Sequence, residues 1–164
     1  MSKKYENTEN YQKNKECPFC KDEISPLTIV DSLNFRAIYN RSPVLPGHSM
    51  IIPKKHISSF TGLSPELRSE MIELSIKTIK MLQKAFNTKA FNWTIQEGAE
   101  AGQTIEHLHM HIIPRREKDL PEPGDWYPYL EKQDVGKIID SDKRPKYSEE
   151  ELKEIANNIK KFSL

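Results

Sequence analysis

The sequence predicts an α+β protein: a five-stranded antiparallel sheet with a long helix on one face and a second helix at the C-terminus. Three observations predict it. Short β-branched and aromatic runs alternate with turn signals, one long stretch keeps helical apolar spacing, and a capping-box pattern stands near the C-terminus. Residues 1–15, "MSKKYENTENYQKNK", are too poor in apolar side chains to pack and are expected to form a disordered polar arm. The domain is expected over residues 16–117, with a C-terminal loop and amphipathic helix over 118–164. Thr28 to Val30 and Phe35 to Tyr39, parted by "DSLN", read as a hairpin, and "PGH" as a turn into a third strand, "SMIIP". The clearest helix is "SPELRSEMIELSIKTIKMLQKAF". Ser64 caps it, Pro65 suits its first turn, and Leu67, Met71, Leu74, Leu82 and Phe86 give it one apolar face to lay on a sheet. "FNWTIQ" reads as a fourth strand, "EGAEAGQTIE" as a glycine-containing loop and "IEHLHMHIIPRR" as the fifth strand. A segment rich in proline and aromatics follows Arg116. In the last helix Ser148 and Glu151 form the capping box ahead of Leu152, Ile155, Ile159 and Phe162.

The length of 164 residues fits one domain with a core of its own. Lys plus Arg number 25 against 24 Asp plus Glu, so no overall field favours nucleic acid or an anionic membrane surface. An anionic partner has to be met by local groups. The N-terminus has no apolar stretch resembling a signal peptide, and no run reaches the roughly 18 residues of a membrane span. The expectation is therefore a cytoplasmic protein. Its two cysteines lie together as "CPFC", a spacing that in a reducing compartment favours a metal site or redox pair over a structural disulfide.

Three of the five histidines stand at every second position of one apolar run. On a strand, His107, His109 and His111 would share a face and Leu108, Met110 and Ile112 the other. Three readings compete: an edge strand with chance histidines, a catalytic metal held by strand imidazoles, and nucleophilic catalysis by one imidazole served by its neighbours. Phosphorus is the natural electrophile for the last, because a phosphorylated imidazole can be opened by water. In "EGAEAGQ", Gly98 and Gly102 allow close backbone approach to an anion, and Gln103 can donate to a phosphoryl oxygen.

"AGQTIEHLHMHIIPR" resembles the signature of the histidine triad superfamily of nucleotide hydrolases and transferases, and "NRSPVLPGHSMIIPKKH" resembles its upstream strand and turn. The resemblance runs from about Cys17 to Arg116. It is nearest the fragile-histidine-triad branch, which cleaves dinucleoside polyphosphates such as diadenosine triphosphate. The implied protein is thus a dinucleoside polyphosphate hydrolase, with an AMP-amine phosphoramidase and a slow nucleotide-binding sensor as rivals. The resemblance makes His109 the nucleophile toward the α-phosphorus, with a nucleotidyl-histidine intermediate. His111 binds and polarises the phosphate, and His48 supports the histidine network. Gln103 and Gln96 match contacts to the phosphate and the scissile oxygen, and Asn40 a contact to ribose. Ile38, on the same strand face as Asn40, is a candidate wall of the base pocket, with core packing as its alternative. Arg115 is read as helping with phosphates or packing, with a solvated surface arginine as its alternative. Magnesium is expected only as a companion of the substrate.

Bacterial-type members of the superfamily open with C-x-x-C and hold a structural zinc. The resemblance implies the set Cys17, Cys20, His56 and His107, two thiolates and two imidazoles that form a closed tetrahedral site; the alternative is an unmetallated site in which His107, also counted with the catalytic histidines, only orders its neighbour His109. Tyr127 and Tyr129 fall where the dinucleotide-cleaving branch has a loop over the polyphosphate. A homodimer is implied by resemblance alone.

Overall fold

The computed structural model describes residues 16–124 and 146–163, so the polar arm, Tyr127 and Tyr129 lie outside the described residues. From Cys17 the chain passes through two 3-10 segments, Pro18–Cys20 and Asp22–Leu27, into β1 (Thr28–Asp31), and a tight turn returns it as β2 (Phe35–Tyr39). β3 (Ser49–Pro53) leads to α1 (Pro65–Phe86), which is followed by β4 (Ala90–Ile95), a 3-10 turn at Ala99–Ala101 and β5 (Met110–Arg115). The C-terminal helix, α2, spans Glu149–Lys160. The strands form one antiparallel sheet in the order β1-β2-β3-β5-β4.

Local chemistry explains the boundaries. Ser64 caps α1 by accepting from the Leu67 amide at 3.3 Å, and Asn87 ends it in the left-handed region at φ 48°. Ser148 and Glu151 complete the expected capping box on α2. The β1–β2 hairpin is fastened to α1 by Glu70, whose carboxylate accepts from Ser32 Oγ at 2.6 Å, from the Asn34 amide at 2.7 Å and from Asn34 Nδ2 at 2.8 Å.

Register sorts the faces, because residues directly opposite in an antiparallel pair point the same way. Ile38, Met50, His111 and Thr94 form one cross-strand row, and Ala37, Ile51, Met110 and Ile95 form a row on the other side. α1 covers the second side: Ser75 Oγ donates to Met110 Sδ at 3.3 Å, and Met71, Leu74, Met81 and Leu82 are buried. Each such burial contributes about 2 kcal/mol. α2 lies beside α1 over β1 and β2 and buries Leu152, Ala156 and Ile159. Phe162 does not belong to that face. The chain tightens after Lys160, with the Phe162 amide bonded to Ile159 O at 3.0 Å, and the ring is left 38 % exposed.

The histidine run also departs from expectation, since β5 begins only at Met110 and so holds His111 but neither His107 nor His109. Pro53 is the cause. Lys54 donates its amide to Asn34 O, on the β2 side, so Pro53 turns its own position in the ladder toward β5 and has no N–H to offer. Beyond that point Leu108 donates instead to Ile57 O at 2.6 Å, and the His107 amide closes a tight turn onto Ile105 O at 2.7 Å. Strand alternation therefore does not place the three imidazoles.

Candidate active site

Hydrogen-bond partners fix which nitrogen of each imidazole carries the proton. His109 Nδ1 stands 2.7 Å from the carbonyl of His107, which can only accept, so Nδ1 bears the hydrogen and the lone pair falls on Nε2. His48 Nδ1 accepts from the Val44 amide at 3.1 Å, which leaves the hydrogen on Nε2. That N–H donates to His111 Nδ1 at 2.9 Å, and the remaining hydrogen of His111 is then on its Nε2. Burial lowers the pKa of His111 well below the ordinary imidazole range, and the nearby His48 and His109 lower it further. A neutral ring results. The rings of His109 and His111 stand 4.9 Å apart at 85°, so one imidazole offering a lone pair lies beside one offering an N–H. That pairing suits attack on an electrophile whose oxygen needs a donor.

The turn that carries His48 is shaped by Gly47, at φ 92°, where an added Cβ would come within 2.7 Å of Pro114 Cγ. Asn40 lies next to this turn. Its amide donates to His48 O at 3.0 Å, its Oδ1 accepts from the Ser42 amide at 2.9 Å, and its Nδ2 faces the His48 ring, 3.3 Å from Nε2. Gln96, just past β4, is buried. Gln103 is turned into its own loop, with Oε1 accepting from the Gly98 amide at 2.8 Å and Nε2 donating to Ser58 O at 3.0 Å. Ile38 belongs to the main hydrophobic core. Arg115 holds the loop after β5: it donates to both Asp119 oxygens at 2.8 and 2.9 Å, and to Asn92 Oδ1 and Pro123 O at 2.7 Å. Packing is the role these contacts describe.

His107 faces the opposite way. Its Nε2 lies 3.0 Å from Pro53 O and donates to it, so the Nδ1 lone pair is directed at Cys17 Sγ, 3.4 Å away, and Cys20 Sγ, 3.6 Å away. His56 Nδ1 stands 3.5 Å from Cys20 Sγ, and the four ligand atoms lie within 4.8 Å of one another. Tetrahedral zinc bonded to sulfur and nitrogen at its usual lengths sets an S···N edge of about 3.6 Å, which the separations of 3.4, 3.5 and 3.6 Å match, so two thiols and two imidazoles are gathered as a metal would require. Burial pulls the His107 pKa down to about 4, which keeps the ring in the neutral form a metal requires, while burial raises the Cys17 thiol. Three residues beyond His56 the chain is fastened to the loop after β4. Glu97 accepts from Ser59 Oγ, the Phe60 amide and the Thr61 amide at 2.6, 3.0 and 3.2 Å, and the hydroxyls of Ser59 and Thr61 hold its pKa at about 2.

Phe19, between the cysteines, was not singled out by the sequence reading. Its ring centroid is 5.6 Å from that of His107 and 5.4 Å from that of His109, so the thiol loop touches the nucleophile candidate directly. Its place inside C-x-x-C was the available signal.

A HIT domain profile matches residues 21–118. The chain belongs to the HIT domain family. The HIT match begins after Cys17 and Cys20 and ends before α2. Among curated relatives, the chain is 37 % identical over 98 residues to the asymmetrical bis(5'-nucleosyl)-tetraphosphatase of Schizosaccharomyces pombe, a match covering 60 % of this chain and 54 % of that protein. The chain therefore spans about half the length of that relative. It is 33 % identical over 109 residues to the bis(5'-adenosyl)-triphosphatase of Dictyostelium discoideum, covering 66 % of this chain and 72 % of that one. The HIT fold also matches the crystal structure of a Zn-bound histidine triad family protein from Mycobacterium smegmatis, with a TM-score of 0.57, 27 % identity and coverage of 71 % and 91 %.

Proposed function

We propose that this HIT domain protein hydrolyses dinucleoside polyphosphates of the diadenosine triphosphate or tetraphosphate type. The observation that carries the reading is the pairing of a lone pair on His109 Nε2 with the N–H of His111, set by the hydrogen bonds to His107 O and from His48. His109 Nε2 attacks the α-phosphorus, an Nε2–P bond forms, and the bond to the bridging oxygen breaks with the remaining polyphosphate nucleotide as leaving group. His111 donates to the phosphoryl group and assists proton transfer to that leaving group. Water then attacks the same phosphorus, AMP departs, and the imidazole is restored. Net configuration at phosphorus is retained. Asn40 contacts ribose, and Gln96 and Gln103 contact the phosphate side, Gln103 by releasing the loop bonds it makes. The activities printed for the two relatives support the substrate class.

The Cys17, Cys20, His56 and His107 set holds structural zinc in this reading; such zinc would tie the N-terminal segment to the strand approach and has no open position for substrate. Magnesium accompanies the polyphosphate. Two further readings have one support each: a homodimer, from Trp93 standing 44 % exposed on the outer strand β4, and a cytoplasmic location, from two neighbouring cysteines not joined in a disulfide. Among the described residues no helix is long and apolar enough to cross a membrane.

The test is turnover of diadenosine triphosphate and of a lysine-AMP amide, side by side, by wild type and His109→Asn. Cleavage of the triphosphate that the substitution abolishes upholds the reading. A clear preference for the amide moves the protein to phosphoramidase chemistry, and tight AMP binding without turnover of either compound makes it a sensor.

A further inference from the structure

Loop 40–48 carries Asn40 at its start and His48 at its end, and the start of the α2 segment, outside the matched HIT residues, reaches the residues on either side of Asn40, Tyr39 through Tyr147 and Arg41 through Glu149. Tyr39, fully buried just before Asn40, accepts from the Gly47 amide at its hydroxyl, 3.2 Å away, and so supports the turn immediately before His48. The ring of Tyr147, one residue before the α2 cap, stands edge-on to that of Tyr39 at 6.4 Å and 66°. Burial and the Tyr147 hydroxyl both raise the Tyr39 pKa, which keeps the phenol neutral. On the other side of Asn40, Arg41 pairs with Glu149 in the first turn of α2 and donates to Glu23 O at 3.1 Å.

These contacts add little to the docking of α2. Its apolar face already buries Leu152, Ala156 and Ile159, and the Arg41–Glu149 pair is 47 % and 48 % exposed, a setting in which ion pairs contribute little stability. What they do fix is the backbone on either side of Asn40 and the turn at His48. A displacement of about 1 Å at such positions is enough to cost up to about a hundredfold in rate.

We propose that Tyr147 and Glu149 are positioning residues of the hydrolase: from the start of α2 they hold, through Tyr39 and Arg41, the loop that presents Asn40 to the nucleotide and His48 to His111. This rests on the reading of Asn40 and His48 given above. The C-terminal helix is then part of the catalytic framework although it touches no substrate.

The experiment uses the full chain with Glu149→Gln, Tyr147→Ala and the charge swap Arg41→Glu with Glu149→Arg. It measures kcat and KM for diadenosine triphosphate, the Kd of AMP, and the nitrogen NMR signals of the His48 and His111 rings. Glu149→Gln is expected to raise KM and the AMP Kd by about fivefold with kcat little changed, and Tyr147→Ala to lower kcat by about tenfold and shift both ring signals. The charge swap is expected to recover most of the lost affinity. Folded variants with wild-type kinetics, AMP affinity and ring signals overturn the proposal, as do losses that only follow the folded fraction. If the wild type cleaves no dinucleotide, the hydrolase reading fails by itself. The AMP affinities and ring signals then decide the positioning role, upholding it if they change and overturning it if they do not.

Discussion

His107 and His111 stand four residues apart, both are buried, and burial depresses the pKa of each, yet they face different chemistry. His107 donates from Nε2 to Pro53 O and turns its Nδ1 lone pair to two thiols, so both of its nitrogens are directed away from a substrate and it stands in a cluster that could hold a metal. His111 accepts at Nδ1 from His48 and carries its hydrogen on Nε2, beside the ring of His109. One partner atom decides each role. A backbone carbonyl forces an imidazole to present a lone pair, and an N–H donor forces it to present a proton. His109, between them, takes its proton position from the carbonyl of His107, so the candidate metal cluster and the reactive pair are joined by one hydrogen bond.

That comparison breaks most sharply at His109. His109→Asn is expected to lower turnover by about 10⁴-fold or more while leaving bound zinc at wild-type stoichiometry, measured by elemental analysis beside the assay. Loss of zinc with activity would mean that the two clusters are one unit. Next in size, His48→Ala removes the donor that sets the His111 tautomer and is expected to cost about 10- to 100-fold in kcat, again with zinc retained. Cys17→Ser with Cys20→Ser should do the reverse: zinc is lost, the melting temperature falls by about 10 °C, and turnover falls by about tenfold as His107 loosens beneath His109. Undiminished zinc in that double variant would remove the metal cluster from the account.

The smallest effect is in pH. Burial keeps His111 neutral in the folded protein, whereas in the unfolded chain it titrates near its ordinary value of about 6.5. Below that value the unfolded state binds the extra proton, so this contribution to stability is complete above about pH 6.5. It is lost as pH falls toward the lower folded pKa, by up to about 1.4 kcal/mol per unit. Urea midpoints taken between pH 7.5 and 5.5 should decline toward acid, and His111→Gln should flatten the decline. An unchanged slope would mean that other buried groups govern it.

Much of the fold was legible because it is written locally. The start of α1 follows from Ser64 and Pro65, that of α2 from Ser148 and Glu151, and β2 and β3 fall on the aromatic and β-branched runs before and after "PGH". The two histidine motifs and the paired cysteines were equally visible as side-chain types in a pattern. What they do was not. His107 meets Cys17 across 90 residues of sequence and Pro53 across 54, and His48 meets His111 across 63, so no local rule selects the nitrogen that each ring presents. Strand alternation misplaced His107 and His109 because Pro53, on a different strand, ends the ladder they would have joined. Gln103 and Arg115, whose charge and amide suited a phosphate, are engaged by Ser58 O and by Asp119 in loops that only the packed domain brings together. By itself the sequence determined the order of the elements, the N-caps of the two helices and the supply of imidazoles and thiols. The tertiary structure decided which nitrogen each imidazole presents and to which neighbour, because a histidine's proton goes where its partner's lone pair or N–H directs it.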